Sequence, residues 1–95
     1  MKHIIEVTTT LYQTDVLNVL NSARSTNDYA NFIFPNGKYL MVAYHKDGTF
    51  DVSTNSRDQQ LYRLRDFTIQ SNSQNRVADF IVQAQDILAR GMYRF

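Results

Sequence analysis

The stretch FIFPNGKYLMVAYHKDGTFDVS, residues 32–53, constrains the fold more than any other part of the chain. It holds two turn signals eleven residues apart. In Phe34-Pro35-Asn36-Gly37-Lys38, proline suits the first central position of a turn and glycine the left-handed one; His45-Lys46-Asp47-Gly48-Thr49 repeats the glycine placement. Both fit a type I turn closed by a glycine bulge, a common connection between antiparallel strands. That geometry sets the register, with residue 34 opposite 38 and 45 opposite 49. Followed outward, Phe32 meets Leu40, Tyr44 meets Phe50 and Val42 meets Val52.

Because successive side chains of a strand point to opposite faces, this register gathers Phe32, Phe34, Leu40, Val42, Tyr44, Phe50 and Val52 on one side. A slip of one residue would scatter them, so the pairing is well specified. The opposite side holds Ile33, Tyr39, Met41, Ala43 and His45, with Asp51 and Ser53, a mixture of apolar, aromatic and polar groups.

Two segments have the periodicity of amphipathic helices that could cover the apolar side. In the first, Tyr12, Val16, Val19, Leu20 and Ala23 draw a stripe over residues 11–24, and Thr10 with Gln13 has the spacing of a capping box. Thr14 is a rival cap, and Asp15 falls in the first turn, where a negative charge is favourable. In the second, Ser71 or Ser73 precedes Val77, Phe80, Ile81, Ala84 and Leu88, while Arg76, Asp79, Gln83, Asp86 and Arg90 fall largely off the stripe. Gly91 suits the position after the helix, and Met92-Tyr93-Arg94-Phe95 is apolar enough to pack on the domain or a neighbour.

The remaining segments are HIIEVT (3–8), a short β-branched strand expected at an edge, and QLYRLRDFTIQ (60–70), expected as a fourth strand of the meander with a bulge near Arg65-Asp66. A short helix over 57–66 is the rival. As a strand, the segment would bring Arg63 and Arg65 to the second face, near Met41 and His45. The expectation is thus a single α+β domain over residues 1–95. It has an antiparallel four-stranded meander, or five strands with the N-terminal one, and two helices packed on one face.

A chain of 95 residues supports one modest core. Its 43% hydrophobic and 20% charged residues argue against disorder. There is no cysteine, which removes disulfides, thiolate chemistry and cysteine-ligated zinc and gives no sign of an oxidising compartment. The apolar run of MKHIIEVTTT is broken by Glu6 and is too short for a signal peptide. No apolar run reaches the roughly 18 residues of a membrane span. A cytoplasmic protein without a membrane role is expected.

Catalytic chemistry finds little to work with. Glu6 is the only glutamate, no spacing proposes a carboxylate pair, no Gly-x-Ser-x-Gly elbow surrounds a serine, and three glycines cannot build a phosphate-cradling loop. His3 and His45 are too few for a dedicated metal cluster, although His45 with Asp47 and Asp51 would make a carboxylate–imidazole set. The expectation is a protein that is not an enzyme and carries no metal or cofactor.

The net charge of +1 does not imply nucleic acid. Residues 57–95, however, hold six arginines and no lysine, and arginine suits carboxylate and phosphate recognition. Tyr39, His45, Arg63 and Arg65 on a sheet face could stack single-stranded bases and contact phosphates. The stronger expectation is protein binding through Tyr39, Met41, His45, Arg63 and Arg65, because Tyr, Met and Arg are enriched in interface cores. A regulator or inhibitor of a partner protein fits such a chain, as do phage and mobile-element proteins that modulate host machinery. A second copy is one candidate partner.

Overall fold

The computed structural model describes residues 3–26, 28–45, 50–63 and 73–89. The elements run β1 (His3–Glu6), α1 (Gln13–Ser25), β2 (Tyr29–Ile33), β3 (Tyr39–Tyr44), β4 (Phe50–Thr54), α2, of which residues 59–63 are described, and α3 (Gln74–Leu88). The strands form one sheet in the order β1-β2-β3-β4.

The hairpin register holds as the turn chemistry predicts. Phe32 pairs with Leu40, Val42 with Val52 and Tyr44 with Phe50. Phe34 N donates to Lys38 O at 2.9 Å and Gly37 N to Phe34 O at 3.0 Å. Gly37 has a φ of 85°, the left-handed conformation that the bulge requires. Asn36 secures the turn twice: its Oδ1 accepts from Lys38 N at 3.1 Å, and its Nδ2 donates to Leu88 O at 2.7 Å, satisfying a carbonyl in the last turn of α3. The second turn, 46–49, lies outside the described residues.

The sheet is mixed, which corrects the antiparallel expectation. β1 pairs with β2 in parallel, His3 opposite Ala30 and Glu6 opposite Ile33. The reason is the helix between them: a strand that returns to its neighbour through a crossover helix runs in the same direction, whereas a tight turn reverses it. The described meander therefore has three strands, β2, β3 and β4, and the fourth member of the sheet is the N-terminal strand.

Residues 59–63 are helical, not a strand. Asp58 starts this helix, accepting from Gln60 N through Oδ1 at 2.9 Å and from Tyr62 N through its carbonyl at 3.3 Å. Leu61 then reaches the core, fully buried. Residues 64–70, including Arg65 and the expected bulge, lie outside the described residues, as do Arg90, Gly91 and the segment 92–95.

The inner side of the sheet and the helices share one core. Phe32, Phe34, Leu40, Val42, Phe50 and Val52 cluster with Val16, Leu20 and Ala23 of α1, Leu61, and Val77, Phe80, Ile81, Ala84 and Leu88 of α3. Arg76, Asp79, Gln83 and Asp86 are exposed, as the stripe predicts. Tyr44, half-buried at the margin, meets Phe50 edge to face at 5.2 Å and carries the Arg24 guanidinium 4.9 Å from its ring centre.

Helix ends differ from expectation in one case. Ser73 does cap α3, accepting from Arg76 N at 3.4 Å. The capping box of Thr10 and Gln13 does not form. Leu11 is instead held by Gln85, whose Oε1 accepts from Leu11 N at 2.8 Å and whose Nε2 donates to Leu11 O at 2.7 Å. With both backbone groups of Leu11 bound to another element, α1 begins beyond it. Tyr12 is the residue before the helix, 68% exposed and off the stripe, and its N–H bonds Asp15 Oδ2 at 3.2 Å. Among the described residues no helix is long and apolar enough to cross a membrane.

Candidate functional site

The outer side of the sheet is built by the same alternation that builds the core. Tyr29, Asn31 and Ile33 of β2 alternate with buried Ala30 and Phe32, and Tyr39, Met41 and Ala43 of β3 alternate with buried Leu40 and Val42. The pairing arranges them in rows: Glu6, Ile33 and Tyr39; Ile4, Asn31, Met41 and Ser53; Tyr29, Ala43 and Asp51. The two inner strands supply half-buried apolar, aromatic and amide groups. The edge strands and the end of β3 supply exposed ones: Ile4, 53% exposed, with Glu6, Asp51, Ser53 and His45. The half-buried apolar groups thus sit in the middle, bordered by the exposed Ile4 on the β1 edge and otherwise by polar and charged groups. None of Ile33, Met41, Tyr29 or Tyr39 packs on the core cluster.

Of the predicted site residues, Tyr39, Met41 and His45 share this side. Tyr39 is fixed through its backbone, its N–H donating to Asn55 Oδ1 at 3.0 Å and its carbonyl accepting from Thr54 Oγ1 at 2.8 Å. His45 lies beyond the end of β3 and bonds Asp51 through Nε2 at 2.7 Å, both side chains remaining largely in solvent. Arg63 is an exposed residue of α2 and not of a strand, so the route by which the sequence brought it to this face does not exist. Arg65 lies outside the described residues.

Ile4, Glu6, Tyr29 and Asn31 belong to this side but escaped the sequence reading. Their signal was the alternation Tyr29-Asn31-Ile33, which continues the strand backward from the hairpin. The parallel register of β1 adds Ile4 and Glu6. Asn31 is the least expected of them. Its Oδ1 is buried and has no hydrogen-bond donor among the described residues, an arrangement that costs free energy unless a donor arrives.

The electrostatics of the face are set by few groups. No strand contains lysine or arginine, so the side chains of the sheet's outer side contribute the carboxylates of Glu6 and Asp51 and the imidazole of His45. Glu6 is exposed and its carboxylate makes no hydrogen bond or ion pair with the described residues. At the ends of β1 and β2 a cleft of about 320 Å³ opens between Glu6, Val7 and Thr8 on one side and Ile33, Phe34 and Pro35 on the other.

Among the described residues no three histidine or carboxylate side chains come together as metal ligands. His3 is engaged with Thr26 Oγ1 at 3.1 Å, on the far side of the sheet from the His45–Asp51 pair. No family model matches the chain, and comparison with curated proteins and with solved structures returns no match.

Proposed function

We propose that the protein is a non-enzymatic binding domain that docks a protein partner on the outer side of its sheet and so regulates or inhibits that partner. One observation carries this reading. A continuous set of half-buried apolar and aromatic side chains, Tyr29, Ile33, Tyr39, Met41 and Ala43, lies outside the core and inside a border of exposed groups that are polar except for Ile4. An apolar centre with a polar rim is the anatomy of protein interfaces. The buried, undonated oxygen of Asn31 within that centre favours a partner that brings an N–H or O–H group.

Single-stranded nucleic acid is less well supported by the same face. Binding of that kind needs cations along the backbone path, and the strands offer two carboxylates and no arginine or lysine.

The test is affinity capture from nuclease-treated native lysate with wild type and Met41→Asp, paired with light scattering of the purified protein. The reading expects a captured protein that the variant loses while remaining folded, or a dimer that the variant dissociates, in which case the partner is a second copy. Capture that nuclease abolishes, or that Met41→Asp and Tyr39→Ala leave unchanged, overturns it.

A further inference from the structure

We infer that the cleft at the ends of β1 and β2 receives an arginine or lysine side chain of the docked partner, with its cationic head on Glu6. This rests on the outer side being a docking surface and names the chemistry at one end of it. The walls are Val7 and Phe34, both buried, with half-buried Ile33 and exposed Pro35 at the mouth. Val7 N donates to Ile33 O at 2.8 Å, so these two backbone groups beneath the cleft are already paired. The polar side chains of the lining are the Glu6 carboxylate and the Thr8 hydroxyl.

An apolar trough ending at an unpaired carboxylate is complementary to a side chain with an aliphatic stem and a positive end. Such a stem covers apolar surface while its head stays at the water boundary. The charge argument is local. Among the described residues Glu6 has no ion pair and no cation lines the cleft. An acidic or neutral polar group would face either repulsion from Glu6 or an unsatisfied apolar wall. Since Glu6 shares a row with Ile33 and Tyr39, a cation seated here is continuous with a partner lying across the outer face.

The probes are Nα-acetyl-arginine amide, Nα-acetyl-lysine amide and the neutral isostere Nα-acetyl-citrulline amide, titrated into the isotopically labelled protein and followed by backbone amide NMR. A saturable shift of amides 6–8 and 33–34 by a cationic amide is expected, with a Kd on the order of 1–10 mM. Citrulline amide and the E6Q variant should each weaken it about two- to fivefold, the scale of one exposed ion pair. Equal binding of citrulline amide, binding that survives E6Q, or no saturable shift at these residues overturns the inference. Failure here leaves the docking surface standing if Met41→Asp still loses its partner. Loss of dependence on Met41 removes the docking reading whatever the amides do.

Discussion

The two sides of the sheet are made by the same twenty residues in alternation, yet they differ in what their side chains meet. On the inner side Phe32 and Leu40 are fully buried among α1, α2 and α3 residues. On the outer side their sequence neighbours Asn31, Ile33, Tyr39 and Met41 stop at half burial, and the apolar three are not among the half-buried side chains packed against that cluster. The inner side has spent its apolar groups on folding. Among the described residues the outer side retains apolar area, one undonated oxygen and a carboxylate without an ion pair.

The largest effect that could break this contrast is on the inner side. Phe32→Ala should cost about 3–5 kcal/mol in denaturant unfolding, as for other fully buried aromatics; a cost below about 1 kcal/mol would mean that the core is not where burial places it. Next comes the Gln85 clamp. Gln85→Ala strands both backbone groups of Leu11 in a partly buried setting, and a loss of about 1–3 kcal/mol is expected, together with faster amide exchange at the start of α1. If α1 exchange is unchanged, the clamp does not set that helix start. Gly37→Ala is a smaller test of the register that separates the two sides. A Cβ there meets no atom within 4 Å, so the cost of about 1 kcal/mol comes from the positive φ alone; a Gly37→Asn variant should recover part of it. The least effect belongs to the outer rim. A double-mutant cycle on His45 and Asp51 should give a coupling of about 0.2–1 kcal/mol. A coupling well above that range would show the rim to be structural.

How much of this was readable from the sequence follows from which residues act locally. The hairpin between β2 and β3 was legible because proline, asparagine and glycine fix its turn within five residues, and the turn then dictates every pair up to Val42 and Val52. The stripes of α3 were legible for the same local reason. The direction of β1 was not drawn from the pairing pattern, because its neighbour lies a whole helix away, although the strand–helix–strand order carried the information. The start of α1 was misread because its decisive partner, Gln85, is 74 residues distant. The segment was expected as a strand with a short helix over 57–66 as the rival, because Leu61 and Tyr62 are compatible with either; residues 59–63 follow the rival, and the Asp58 cap that decides for it was overlooked. Of the site, Tyr39, Met41 and His45 came from alternation alone. Glu6, Ile4 and Asn31 needed the sheet order, and Arg63 was placed by a strand that does not form.

The contrast between the faces is tested most directly on two adjacent residues of one strand. Leu40→Asn and Met41→Asn should be compared by urea unfolding under identical conditions. The account predicts a loss of roughly 3 kcal/mol or more for Leu40, where an amide would be buried among apolar side chains, and less than about 1 kcal/mol for Met41. Equal losses, or a larger loss at Met41, would contradict it.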